Sequence, residues 1–185
     1  MEFSITYDVL VRGGVDVTSV YVPGADEPLS PADGLVVASR GVKLGADTTL
    51  EALTKSGHAG DYDAYIIPGG AGGANTLSKD PTVLQILRDS HANGKIVGMI
   101  CAGSLAALEA RVGLGGPITS HPSVKDKLAS SYQYQELPVA VSNNLVTSRG
   151  PGTTFLFALT LVEKLMGIDK RQEITGPMML TPEHL

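Results

Sequence analysis

Cysteine is almost missing from this chain: one, Cys101, stands among 185 residues. A lone cysteine closes no internal disulfide, which fits a reducing compartment. Nor is there a Cys/His cluster at metal-ligand spacing, so no metal site is predicted. Positive charge is not in excess either. The formal net charge is -5, and a general nucleic-acid binder needs a basic face. No apolar run approaches the ~20 residues that span a bilayer. The first ten residues hold Glu2 and Asp8 and no basic start, so they do not read as a signal peptide. Repeats, low-complexity linkers and a phosphate-binding G-x-x-x-x-G-K-[ST] motif are absent as well. These absences predict an intracellular protein, cytoplasmic and possibly also nuclear, with no nucleic acid, no membrane and no cofactor. The length suits one domain over 1–185.

What is present is an alternation of strand and helix signals. Strands are predicted over 15–22, 35–39, 42–44, 62–67, 96–100, 139–141 and 145–148. Thr48 and Glu51 have capping-box spacing at the start of one helix. Asp80-Pro81 opens another helix, which Asn93-Gly94 closes. A polar loop with three prolines runs over 23–32, a long helix spans 153–166 with Gly167 as its stop, and the tail after it is ambiguous. Continuous apolar strands between helices predict a largely parallel sheet covered on both faces. Sites in such sheets form at the carboxyl ends of strands. Two features fall there, Pro68-Gly-Gly-Ala-Gly-Gly73 and Cys101.

Cys101 follows an apolar strand and precedes Ala102-Gly103 and a helix. Helix dipole and free N–H groups at such a turn favour thiolate, the reactive form. The plainer reading, a small buried hydrophobe, is what most free cysteines are; the turn is what tips the balance. The glycine run can present N–H groups to an anion or be a tight turn. A nucleophilic cysteine needs a base. Of His58, His91, His121 and His184, only His121 follows an extended segment. Arg12, Arg40 and Arg149 are candidate anion holders or plain surface cations.

Four stretches together carry a resemblance: Ile67-Pro-Gly-Gly70, Ile100-Cys-Ala-Gly103, Ser120-His-Pro122 with Lys125-Asp-Lys127, and Thr147-Ser-Arg-Gly-Pro-Gly-Thr153. The chain resembles the ThiJ/PfpI superfamily, in its branch of the Parkinson disease protein "DJ-one". The resemblance implies a flavodoxin-like α/β sandwich and a homodimer. It implies that Cys101 is a nucleophile on a strained elbow, Glu2 the acid that bonds the sulfur, and His121 the pocket histidine. Gly70 and Ala102 would supply oxyanion N–H groups, and Arg12 and Arg40 would bind anions or the dimer partner. Residues 2–14 match the family's first helix, although Ile5, Tyr7, Val9 and Val11 alternate as in a strand. The family begins with a strand before the matched glutamate, so the sheet is expected to lack it here. Ala102 replaces the histidine that follows the nucleophile in PfpI-type proteases, and Pro122-Ser123 replaces the His-x-Glu of glutamine amidotransferases. The activity implied is a glutathione-independent glyoxalase turning methylglyoxal, a small dicarbonyl, into lactate through a Cys101 hemithioacetal. The alternatives are a protein deglycase, or a redox-sensing stress protein or chaperone.

Overall fold

The computed structural model describes residues 1–25, 27 and 34–182. Most of the loop predicted over 23–32, and His184, lie outside them.

The chain opens with α1 (Glu2–Arg12). Its buried residues are Thr6, Val9 and Leu10, a spacing of three and four that only a helix places on one face. Val11, which strand alternation would bury beside Val9, is 50% exposed. The helical match therefore wins over the local alternation because α7 covers only one stripe. Next come β1 (Val20–Tyr21), β2 (Leu35–Val37), β3 (Lys43–Gly45) and β4 (Thr48–Thr49). The strand predicted over 15–22 shrinks to two residues, since only Val20 and Tyr21 find ladder partners, in β4. The β2–β3 pair is an antiparallel hairpin about Arg40-Gly41. Helix α2 (Leu50–Lys55) is capped by Thr49, whose hydroxyl accepts from Ala52 N–H, one residue later than the predicted cap.

The main sheet follows. Strand β5 (Ala64–Ile67) leads to α3 (Ala71–Leu77) and α4 (Pro81–Ala92). Asp80 caps α4 as predicted, accepting from the N–H groups of Thr82 and Val83. Strand β6 (Ile96–Ile100) leads through a 3-10 turn, Cys101–Ser104, to α5 (Leu105–Ala110). Then come β7 (Pro117–Ile118), a 3-10 turn Pro122–Val124, α6 (Lys125–Leu128), β8 (Gln133–Tyr134), β9 (Val139–Ser142) and β10 (Leu145–Ser148). A last 3-10 turn, Pro151–Thr153, precedes α7 (Thr154–Met166), which ends at Gly167 with φ +89°. The ambiguous tail begins with α8 (Ile168–Thr175).

The central sheet has the order β5-β6-β10-β9. Strands β5, β6 and β10 are parallel and β9 is antiparallel. Strands β1 and β4 form their own parallel pair, and among the described residues no ladder joins them to β5. Side chains leave β6 alternately. Val97 and Met99 enter a core with Ala74, Leu87, Ala106 and Ala107, while Ile100 enters a second with Val9, Phe157 and Leu161. Helices thus cover both faces of a flavodoxin-like α/β sandwich. Each fully buried Leu or Phe in these layers is worth roughly 1.5–3 kcal/mol. Gly98 lets α7 approach closely: a Cβ there would lie 2.8 Å from Ile66 and 3.2 Å from Phe157.

This topology positions the site. Because β5, β6 and β10 run parallel, their carboxyl ends share one edge. Pro68-Gly69-Gly70, Cys101 and Arg149-Gly150 leave the sheet there in consecutive strands.

Candidate active site

Cys101 is the residue at which β6 becomes the 3-10 turn. Its φ is +64°, left-handed backbone that a non-glycine residue adopts at a cost of about 1–3 kcal/mol. Gly103 is what allows the elbow to sit so tightly. A Cβ at Gly103 would meet the carbonyl oxygens of Pro68 at 2.6 Å and Ile67 at 2.9 Å. The elbow is thus pressed against the end of β5, backbone on backbone.

Three segments converge on the sulfur. The first turn of α1 brings Glu2, whose Oε2 accepts from Gly69 N–H at 2.9 Å and whose carboxyl hydrogen-bonds the Cys101 sulfur. The N–H groups of Ala102 and Gly70 also face the sulfur. Gly70 stands at φ +91°, at the N-cap of α3, so its N–H is free to turn toward Cys101. His121 arrives on the segment after β7, its backbone N–H donating to the Cys101 carbonyl at 3.3 Å. A Cβ built on Gly150 would lie 3.8 Å from His121 Cδ2 and 3.9 Å from Glu2 Oε1. Gly150 therefore leaves open the gap between those two side chains.

The electrostatics correct the sequence-based expectation of a favoured thiolate. Burial, then the charge of the neighbouring Glu2 carboxylate, push the Cys101 thiol up, against the pull of the Ala102 and Gly70 N–H groups. The Cys101 thiol donates to the Glu2 carboxylate, and the Ala102 and Gly70 N–H groups face the same sulfur. A carboxylate in that place can take the thiol proton as the sulfur attacks.

Cys101, Glu2, His121, Gly70 and Ala102 come together, whereas Arg12 and Arg40 do not join them. Arg12 Nε binds Asp8 at 2.6 Å, ten residues and so about 15 Å along α1 from Glu2. Arg40 lies in the exposed β2–β3 turn and makes no ion pair among the described residues. Its neighbour Ser39 is nearer, with Oγ 3.7 Å from where a Gly70 Cβ would stand. Arg149 pairs with Glu136 at 2.6 Å, and Glu136 also holds Lys125. His58 pairs with Asp61 in an exposed loop, and His91 is packed into the fold on α4, where burial pushes its imidazole down. No group of three or more candidate metal ligands occurs among the described residues.

Sequence reasoning gave no individual role to Gly69, Gly150 or Ser123. Gly69 is visible only as part of a glycine run. A Cβ there would lie 2.5 Å from Cys101 Cβ and closer still to Glu2 Oε2. Gly150 follows β10 as Gly69 follows β5, so the strand-end rule applied to a third strand would have found it. Ser123 donates its N–H to His121 Nδ1 at 3.2 Å, with its hydroxyl at 2.8 Å. The signal for it is a polar residue two places after the histidine.

Residues 1–164 match the DJ-1/PfpI family. The chain belongs to the DJ-1/PfpI family. It is 39% identical over 182 residues to the Parkinson disease protein 7 homolog of Danio rerio, covering 97% of this chain and 90% of that protein. It is 40% identical over 174 residues to the glutathione-independent glyoxalase DJ-1 of Schizosaccharomyces pombe, covering 92% and 87%. Among solved structures, Schizosaccharomyces pombe DJ-1 superposes with a TM-score of 0.87 at 37% identity, over 97% of this chain and 93% of that one. Drosophila melanogaster DJ-1beta gives 0.84 at 35% identity, over 97% and 91%. The DJ-1/PfpI match extends from Glu2 through most of α7, so every residue brought to the Cys101 elbow lies within it.

Proposed function

We propose that this protein is a glutathione-independent glyoxalase that converts methylglyoxal to lactate, a lyase-type reaction. The reading is carried by one observation: a carboxyl and a thiol share a hydrogen bond at the mouth of two inward-facing backbone N–H groups. Relatives from Schizosaccharomyces pombe and Caenorhabditis elegans that bear the glyoxalase name support it. In the first step the Cys101 sulfur bonds the aldehyde carbon while its proton passes to Glu2. The aldehyde oxygen takes up negative charge against the Gly70 and Ala102 N–H groups, then accepts the proton from Glu2 to give the hemithioacetal. Glu2 next removes the hydrogen on that carbon and returns a proton to the adjacent one, while the hydroxyl proton of the hemithioacetal passes to the former ketone oxygen, so the ketone becomes an alcohol and the adduct a lactoyl thioester. Water cleaves the thioester, and lactate and the free thiol result. Methylglyoxal plus water equals lactate, so no external oxidant or reductant is required.

The raised thiol favours this reading over redox sensing. A sensor cysteine works best as a standing thiolate, whereas a thiol hydrogen-bonded to a carboxylate suits a site that must hand protons to and from a substrate. The test is lactate production from methylglyoxal without glutathione. Wild-type protein is expected to turn over and Cys101→Ala to be inactive; equal turnover by both rejects the thiol mechanism.

The homodimer belongs to this proposal, with the outer face of α1 as its interface. Phe3, Tyr7, Val11 and Asp8 line a hollow of about 340 Å³ with Ser19, Gly45 and Asp47, and β2–β3 exposes Val37 and Val42 beside it in the chain. The salt-bridged Arg12 lies at the end of this helix. The compartment proposed is the cytoplasm, with the nucleus a further location, in keeping with the lone cysteine and the net charge of -5.

A further inference from the structure

His121 has only one free nitrogen, and which one it is decides what the ring can do. It caps the turn Pro122–Val124, its Nδ1 accepting from the Ser123 backbone N–H at 3.2 Å. A backbone N–H can only donate, so Nδ1 must hold a lone pair there. The Ser123 hydroxyl lies 2.8 Å from the same nitrogen and reinforces the arrangement by donating to it as well. In the neutral ring the proton is therefore on Nε2. The opposite tautomer would aim an N–H at an N–H. Meanwhile the Cδ2 side of the ring, which leads to Nε2, faces the Gly150 gap across which Glu2 Oε1 lies.

A histidine that serves as a base is oriented the other way. A carboxylate holds its Nδ1–H and leaves Nε2 with the lone pair. At position 123, two residues after the histidine, this chain has a donor where such an acceptor would stand. From this we propose that Ser123 is a positioning residue that fixes His121 as its Nε2–H tautomer, so that His121 donates a hydrogen bond to a substrate oxygen and Glu2 alone moves the protons. The proposal deepens the glyoxalase reading and rests on it for the identity of the oxygen, which is the ketone oxygen of methylglyoxal as it gains electron density during enolisation.

The rest of the segment is built to keep that geometry. Ser120 Oγ and Tyr134 Oη lie 3.1 Å apart, and Tyr134 Oη also donates to the Ser120 carbonyl at 3.1 Å. Lys125 Nζ lies 5.2 Å from the centre of the Tyr134 ring and binds Glu136 at 2.6 Å. His121 is thus carried on a strap fastened on both sides, although its ring is exposed.

The test uses full-length protein with isotopically labelled histidine. Nitrogen NMR of the imidazole reports which nitrogen carries the proton in the neutral ring. Wild-type protein is expected to show Nε2–H, and so is Ser123→Ala, which keeps the backbone N–H that Nδ1 accepts, whereas Ser123→Pro, which removes it, is expected to lose that preference. Lactate assays on His121→Gln and His121→Ala then test the donor role. Gln retains an N–H donor and is not a base at neutral pH. It is expected to keep kcat at least ten-fold above the Ala variant, which should lose about 10²-fold, the cost of removing one oxyanion donor. Cys101 alkylation rates in the same variants check that the elbow is intact. An Nδ1–H signal in wild-type protein overturns the positioning role of Ser123. Gln and Ala variants equally impaired, with unchanged alkylation, overturn the donor role. Wild-type protein that makes no lactate but shows Nε2–H fails the glyoxalase reading while supporting the tautomer.

Discussion

The glycine run after β5 offers a sharp test, because its first glycine and its last two sit in opposite physical situations. Gly69 faces Cys101 and Glu2. An alanine Cβ there would stand 2.5 Å from Cys101 Cβ and 3.1 Å from Cys101 Sγ, where ordinary contact is about 3.5–4.0 Å. One segment must retreat by about 1 Å. Neither is free to do so cheaply, because Gly103 already holds the elbow against the carbonyls of Pro68 and Ile67. A methyl forced into such packing costs about 1–3 kcal/mol, roughly 2–12 °C in Tm for a chain of this length. A displacement of about 1 Å at the reacting atoms costs about 10²-fold in rate. Gly72 and Gly73 are the opposite case: both lie within α3, with open space where a Cβ would go. Alanine at either removes glycine's helix penalty of about 1 kcal/mol and is expected to raise Tm by roughly 2–4 °C. The assay is a pair of thermal melts with lactate turnover for Gly69→Ala and Gly72→Ala. If Gly69→Ala retains wild-type turnover and Tm, the backbone-on-backbone account of the elbow is wrong.

Two further outcomes follow from the titrating groups. Removing the charge of Glu2 by Glu2→Gln should lower the Cys101 pKa, since that carboxylate is one of the groups pushing the thiol up. Iodoacetamide labelling at neutral pH should accelerate while lactate turnover falls by about 10²-fold or more; slower labelling, or retained turnover, contradicts the role given to Glu2 beside the thiol. Tyr132 is buried, donates to the Val112 carbonyl at 2.9 Å, and its hydroxyl is pushed up to about 12 from 10.0. The unfolded chain loses this proton near pH 10 and the folded one only near 12, so stability is intact below 10 and lost as pH rises between them, by about 3 kcal/mol. Tyr132→Phe should cost about 1 kcal/mol at pH 8 through the missing hydrogen bond. Above pH 10 it should close that gap on the wild type in urea melts, and a gap that stays constant across this range refutes the assignment.

The sequence by itself determined the layered α/β architecture, the cap at Asp80, the stop at Gly167 and the strand-end placement of Pro68-Gly69-Gly70 and Cys101. These are encoded in short-range chemistry: apolar runs, a capping carboxylate, a residue without a Cβ. It could not fix what depends on distant partners. Residues 15–19 carry strand propensity but find no ladder, and α1 alternates like a strand yet is helical because α7 offers a groove for one face. Gly69 and Gly72 are identical in composition and neighbours in sequence, and only the approach of the Cys101 elbow makes the first indispensable and the second replaceable. The sign of the thiol's shift was decided in the same way. A lone cysteine at a strand-to-helix turn suggests a thiolate. Folding then buries the thiol and sets the carboxylate of residue 2 beside it, a charge no local window contains, and both push the thiol up.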